Sequence, residues 1–252
     1  PVGFTDLDPE GMLIEGFDEM GTMATIYNYP YYVDHMKRLG FEKEVDWIEF
    51  RIAVPDSIPE KFQRIGEIVA KKYNLRVLKF TSRDKIRKEY GHAIFDLVNE
   101  AYADLYGFVS LTDRQIEHYI NVYIGVLRLD DVTLVVDQDD KLVALGIAMP
   151  SMSEALRKSR GKLFPFGWYH LLRAIKGHTD VVDLLLVAVK PEYQSKGVNA
   201  IIFNDLIPRF NANGYKFAES NVELEGNESV QKQWEYYEHR QHRRRRAWKK
   251  EL

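Results

Sequence analysis

The sequence predicts an α/β (α+β) fold in which a mixed central sheet is flanked by helices. Three observations carry the prediction. Segments of helical and of extended hydrophobic period alternate over most of the chain. Residues 181–189, VVDLLLVAV, are almost wholly apolar, as in a central strand covered on both faces. Two more apolar runs, 132–136 and 142–149, flank an Asp-rich turn and read as a hairpin. At 252 residues, 45% of them hydrophobic, the chain can build one large domain or two small ones.

Residues 1–55 are rich in Gly, Tyr and Pro. Loops are expected there around one short helix, Pro30 to Leu39, stopped by Gly40. The tyrosines from Tyr29 to Tyr32 are expected to pack against the rest of the chain. Trp47 to Val54 alternates as a strand does. After a break at Pro55 to Pro59, Ile58, Phe62, Ile65, Ile68, Val69 and Tyr73 follow at helical spacing. A strand is expected over Arg76 to Phe80, then a long amphipathic helix over Ile86 to Tyr106. Thr112 is placed to cap the next helix, which runs to about Leu127. Beyond the hairpin, Ser153 to Arg160 and Trp168 to Ile175 read as helices. Ala200 to Asn213 is a helix closed by Gly214, and Lys216 to Leu224 is a strand. Ser229 to Glu238 is a helix and His242 to Lys249 the last strand.

The most informative segment is residues 187–200, VAVKPEYQSKGVNA. An apolar strand stops at Pro191, a polar turn carries Gln194, Ser195, Lys196 and Gly197, and a new helical period begins at Ala200. Glycine lets the backbone turn closely, and a helix start leaves N–H groups unpaired. Such groups attract anions, phosphates above all.

This segment resembles the acyl-CoA-binding signature of the GNAT superfamily of N-acyltransferases: Gln or Arg, two variable residues, Gly, one variable residue, then Gly or Ala. Gln194, Ser195, Lys196, Gly197 and Val198 follow it; Asn199 stands where the small residue would be. The element order from Arg76 onward is also that of the GNAT fold. Leu163 to Gly167, Glu219 to Asn227 and the closing stretch Arg243 to Lys250 resemble a subgroup of larger, mostly uncharacterised bacterial GNAT-like proteins. The resemblance implies acetyl-CoA or another acyl-CoA as co-substrate. Its holders would be the backbone of Leu186, Val187, Ala188 and Val189, the turn Gln194, Ser195, Lys196, Gly197, Val198 and Asn199, and Asn227. The implied activity is transfer of an acyl group, acetyl in the first instance, to the amine of a small molecule or amino acid. The alternative is a non-catalytic acyl-CoA-binding or sensing module, supported by the departures at Trp234 and Asn199.

Making an amide from a thioester requires a neutral amine, a stabilised oxyanion and a protonated leaving thiolate. The candidate general bases are Glu219, Glu223 and Asp183. Asp183 interrupts an apolar strand, and a strand-start position still reached by solvent would explain it. Period-two spacing puts Glu219 and Glu223 on one face of a strand, with Asn221 between them. The usual thiolate acid of the family is a tyrosine on the following helix. Spacing from Asn227 puts Trp234 there, and an indole cannot donate a proton in that role. Tyr236 is the substitute, with Tyr237 beside it.

The net charge of -3 gives no global attraction to nucleic acid or an anionic membrane. With no cysteine, disulfides, zinc-thiolate sites and thiol nucleophiles are excluded. The histidines show no metal-ligand spacing, so no metal is expected. No apolar run is as long as a membrane span, and a cytoplasmic protein is expected. In the basic run His239 to Lys250, a strand would turn Arg240, His242, Arg244 and Arg246 one way and Arg243 and Arg245 the other. Carboxylate pairing fits this better than a nucleic-acid surface. The partners expected are a small-molecule amine acceptor and, at most, a second copy of the chain in a homodimer.

An echo joins the two ends. Asn28 precedes a helix with His35 seven places on and then a strand; Asn227 precedes a helix with Trp234 seven places on and then a strand. Three parts are expected: 1–55, the remnant of an N-terminal GNAT-like lobe; 56–75, a connecting helix; and 76–252, a GNAT-like acyltransferase domain. A longer natural chain, extended at the N-terminus, is expected.

Overall fold

The computed structural model describes residues 5, 7–125 and 127–251. The elements, in order, are β1 (Met12–Glu15), α1 (Tyr31–Arg38), β2 (Glu42–Ala53), α2 (Glu60–Tyr73), β3 (Arg76–Leu78), α3 (Arg83–Ala101) and α4 (Asp113–Tyr119). They continue with β4 (Val132–Val136), β5 (Leu142–Pro150), α5 (Ser153–Ser159), α6 (Gly167–Ile175), β6 (Val181–Val189), α7 (Asn199–Ala212), β7 (Phe217–Glu219), β8 (Glu223–Leu224), α8 (Glu228–Gln231) and β9 (His239–Lys249). Thr112 caps α4 with a full capping box: Gln115 N donates to Thr112 Oγ1, and Thr112 N donates to Gln115 Oε1.

Four sequence expectations change. First, the strand expected over 216–224 is interrupted, because Ser220 replaces a ladder partner with its side chain. Phe50 N donates to Ser220 Oγ at 2.9 Å, and Ser220 N donates to Phe50 O at 2.8 Å. Second, the helix after Asn227 tightens into a 3-10 segment over Lys232–Tyr236. Third, β1 carries no periodic signal of its own; it is a strand because β9 pairs with it. Tyr29, Tyr31 and Tyr32 are also exposed rather than packed, and stack on one another.

The chain forms two compact units. The first comprises residues 1–53, 150–183 and 217–252, and its strands follow the order β1-β9-β2-β7-β6, with β8 also on β2. Pairing is antiparallel except between β6 and β7. Trp47 of β2 stands opposite Arg245 of β9. β1 places Leu13 beside that same Arg245, and β8 places Leu224 beside that same Trp47. Asn28, after β1, accepts from Leu13 N and donates to Leu13 O; Asn227, after β8, donates its backbone N–H to Leu224 O. The segments 12–53 and 223–249 are therefore reciprocal: each sends its last strand beside the other's first.

The second unit comprises residues 54–149 and 184–216, with strand order β6-β5-β4-β3. α7 lies hard against β5. A Cβ on Gly146 would come within 2.4 Å of Ile202 Cγ2, so only glycine admits the helix at this distance. Leu134, Val135, Val136, Ala144, Leu145, Ile202 and Leu206 form the core. β6 belongs to the first unit through Asp183 and to the second from Leu184.

Candidate functional site

In the second unit, β6 leads through a 3-10 turn, Pro191–Tyr193, to the start of α7. Ser195 and Gly197 both have left-handed backbone, at φ 57° and 81°. A Cβ on Gly197 would sit 3.0 Å from Ile65 Cγ2, a tight contact with α2 that adds to the preference for glycine set by φ. The amides of Ser195, Lys196, Gly197, Val198 and Asn199 meet no protein acceptor among the described residues. Gln194 folds its side chain back, donating to Val189 O at 3.0 Å. Lys196 Nζ lies 5.4 and 5.7 Å from the ring centres of Tyr73 and Tyr193. On β6, Val187 O accepts from Tyr102 Oη at 3.0 Å, and Ala188 is buried.

In the first unit one face of the sheet carries a cluster of charged groups. Asp183 and Glu219 are direct neighbours across the parallel pair β6–β7. Glu219 stands opposite Arg51 of β2, whose Nη1 donates to Glu219 Oε1 at 2.8 Å. Glu219 Oε2 is 2.8 Å from His242 Nε2, in contact but out of line for a hydrogen bond. Behind them Glu49 is ion-paired with Arg243 and Arg245, both at 2.7 Å.

Asp183 is only 3% exposed, so a solvent-reached strand start does not account for it. Burial pushes its carboxyl up to about 7; the negative charge of Glu219 adds to this, while a hydrogen bond from Ser151 and the charge of Arg243 oppose it. Its Oδ1 is buried without a hydrogen-bond partner. A cleft of about 720 Å³ opens beside the pair, lined by Arg51, Ser151, Val181 and Glu219 and by Lys158, His170, Arg173 and His178.

Glu219 and Glu223 do not share a face. Their partners on β2 are Arg51 and Ile48, an odd number of residues apart, so the side chains point to opposite sides. The interruption at Ser220 breaks the expected period. Glu223 instead accepts from Trp234 Nε1 at 3.0 and 3.2 Å. Burial pushes its carboxyl up to about 8, against the hydrogen bonds from Trp234 and Ser220. Trp234, itself buried, is thus the partner of Glu223. Tyr236 sits exposed on the 3-10 segment, whereas Tyr237 is buried. Asn227 begins α8. Replacing Trp234 with Phe is expected to cost about 1–3 kcal/mol, the penalty of leaving a buried acceptor unmet. Urea unfolding at pH 6 and pH 9 checks this, with the larger loss at pH 9, where Glu223 is ionised and its need for a donor is greatest.

The arginines of β9 pair largely with carboxylates. Arg240 holds Glu19 in a two-bond fork, which with help from His242 keeps that carboxyl down at about 2 despite partial burial. Arg244 and Arg246 both reach Asp46. The strict alternation expected for this strand fails at His242. Glu49 pairs with Arg243 but Phe50 pairs with Gln241, so His242 is the extra residue of a β-bulge. The bulge buries His242 and Arg243 side by side. His242, Arg51 and Ser151 were not legible as site residues, since all three reach the cluster through cross-strand register and the bulge.

A GCN5-related N-acetyltransferase from Sphaerobacter thermophilus matches 92% of this chain and 56% of its own length, with a TM-score of 0.53 at 10% identity. The fold is GNAT-like. A tandem GNAT protein from the clavulanic acid biosynthesis pathway matches 94% of the chain and 62% of its own, with a TM-score of 0.50 at 10% identity. In sequence, the chain is 26% identical over 194 residues to Protein YghO of Escherichia coli, covering 76% of this chain. It is 24% identical over 189 residues to the bacterial ceramide synthase of Caulobacter vibrioides, covering 73%. The chain spans about half the length of these curated relatives, 48% and 47%. No protein-family model matches it. Among the described residues, no helix of this GNAT-like chain is long and apolar enough to cross a membrane.

Proposed function

We propose that the chain transfers an acyl group from acyl-CoA to an amine. The observation that carries this reading is the Asp183–Glu219 pair beside the cleft, one carboxyl ion-paired with Arg51 and the other pushed to about 7. Two acids with unlike environments provide a charged anchor and a proton acceptor working near neutral pH. Glu219 draws the amine into the cleft as ammonium. Asp183 then takes its proton, through Ser151 or a water at the unpartnered Oδ1, and leaves the amine nucleophilic.

The residues of the turn fit the co-substrate. Its run of unpaired amides and its glycine backbone suit a pyrophosphate, with Lys196 adding positive charge. Acyl-CoA would supply the activated acyl carbonyl. We assign the reaction to the cytoplasm, where acyl-CoA is made. The Caulobacter relative's name adds a substrate class: ceramide is an N-acylated long-chain amino alcohol, which favours a fatty acyl group and an amino alcohol over acetyl and an amino acid. We also read residues 1–55 as the remnant of a second GNAT-like lobe, a reading supported by the reciprocal pairing of segments 12–53 and 223–249.

A thiol-release assay with short- and long-chain acyl-CoAs across a panel of amines and amino alcohols tests the reading. CoA binding without acceptor-dependent thiol release would instead support a non-catalytic acyl-CoA-binding module, the reading that Trp234, committed to Glu223, favours. Gly197→Asp is expected to lower CoA affinity at least tenfold, about 1.4 kcal/mol, beyond Gly197→Ala. The alanine variant shares the steric strain at φ 81°, so the difference isolates the added charge. Equal affinities by calorimetry would remove the turn from the site.

A further inference from the structure

On α6 of the first unit the usual order of burial is reversed. α6 buries its small residues, Gly167 and Ala174, and exposes its large ones. Trp168, Leu172 and Ile175 fall at helical spacing on an outer stripe, with Tyr169 beside them. In the loop before the helix, Leu163 is 55% exposed, Phe164 79% and Phe166 70%. Singly exposed apolar residues are ordinary; a contiguous stripe of this kind marks an interaction surface.

The loop is held in place. Trp168 Nε1 donates to Pro165 O at 3.0 Å, Trp168 N to Leu163 O at 2.9 Å and Tyr169 N to Phe166 O at 3.1 Å. A Cβ on Gly167 would come within 1.7 Å of Lys162 O, so the loop is drawn tight against the helix start. Phe164 and Phe166 are therefore presented outward by a built turn.

Charge identifies the occupant. Residues 153–178 contain six Arg and Lys (Arg157, Lys158, Arg160, Lys162, Arg173, Lys176) against one acid, Glu154, a local net charge of +5 in a chain of net -3. All six cations are exposed. Glu154 pairs with Arg157 and Lys158; Arg160, Lys162, Arg173 and Lys176 meet no carboxylate among the described residues. Aromatic side chains at the tip with unpaired cations around them suit the headgroup layer of an anionic bilayer. Rings sit at the interface and cations reach lipid phosphates. Lys158 and Arg173 also border the cleft beside Glu219, so one helix pair serves both surfaces.

We propose that α5, α6 and the loop between them dock the chain on an anionic lipid surface. This departs from the expectation drawn from whole-chain charge, which averages away the local excess. It stands apart from the acyl-transfer reading, because its test needs no turnover. The chain is sedimented with vesicles of phosphatidylcholine alone and of phosphatidylcholine with phosphatidylglycerol. Binding is expected only to the second, falling as salt is raised. It should weaken about tenfold or more in Phe164→Ser/Phe166→Ser and in Arg160→Glu/Lys162→Glu. All four positions are exposed, and circular dichroism checks that both variants fold. Absence of binding to anionic vesicles, or binding that neither variant weakens, overturns the proposal. So does self-association in the ultracentrifuge that Phe164→Ser/Phe166→Ser abolishes, which would assign the face to a second copy.

Discussion

Asp183→Asn is expected to lower acceptor-dependent thiol release by about 10²-fold or more while leaving CoA affinity unchanged. Asn matches Asp in shape and can still accept the Ser151 bond, but it cannot take a proton. The native rate should rise with pH through about 7 as the buried carboxyl ionises, and that limb should vanish in the variant. Stability should move the other way. The folded carboxyl titrates near 7, well above the unfolded value of about 3.9. Asp183 therefore stabilises the fold only while protonated: its contribution is complete below about pH 4 and is lost as pH rises through 7. Asn does not titrate, so at pH 8 the variant should be more stable than the native chain by a few kcal/mol, with the gap closing towards pH 4. Lost turnover together with gained stability is the mark of a group held in a strained state for chemistry. A variant that keeps its activity, or keeps the limb near pH 7, would remove Asp183 from the mechanism.

The sequence was most legible where the backbone alone makes the feature. The strand, the Pro191 stop and Gly197 mark a turn that can be read without side-chain geometry, and the structure places left-handed backbone at Gly197. Long periodic elements were legible for the same reason, because hydrophobic period fixes them locally. The acid cluster was only half legible. Asp183 and Glu219 were each conspicuous, one as a charge in an apolar strand and the other in a strand near the resemblance motif. Their adjacency depends on the parallel register of β6 and β7, which no local pattern encodes. A single interrupting residue, Ser220, sent Glu223 to the opposite face, and a single bulged residue, His242, turned inward beside Arg243. Period-two reading fails at such points because one added residue inverts every side chain beyond it. The α5–α6 surface was hidden for a different reason. Its apolar stripe has the period of any amphipathic helix, and period alone does not say which side faces in.

Arg243→Met is expected to destabilise the chain by about 3–5 kcal/mol, whereas Arg240→Met, on the same strand, should cost no more than about 1 kcal/mol. Arg243 is 1% exposed. Its Nη2 is 2.7 Å from Glu49 Oε2, and its Nη1 donates to Met20 O at 2.6 Å. Glu49 is wholly buried, so removing Arg243 leaves it with Arg245 as the remaining partner for a charge that water cannot reach. A buried ion pair adds little net stability over a well-packed apolar pair, because both charges had to be desolvated. Removing one partner is costly, because the other stays desolvated without its full compensation. Arg240, by contrast, is exposed, and its fork with Glu19 can be replaced by water. Urea unfolding of the two variants compares a single residue type in two environments a few positions apart. Equal losses would mean that the basic strand is not anchored through Glu49. A large loss confined to Arg243 would show that this part of the run is committed to the sheet interior and is not available to a polyanion, and retention of DNA by the folded chain at physiological salt should then be weak.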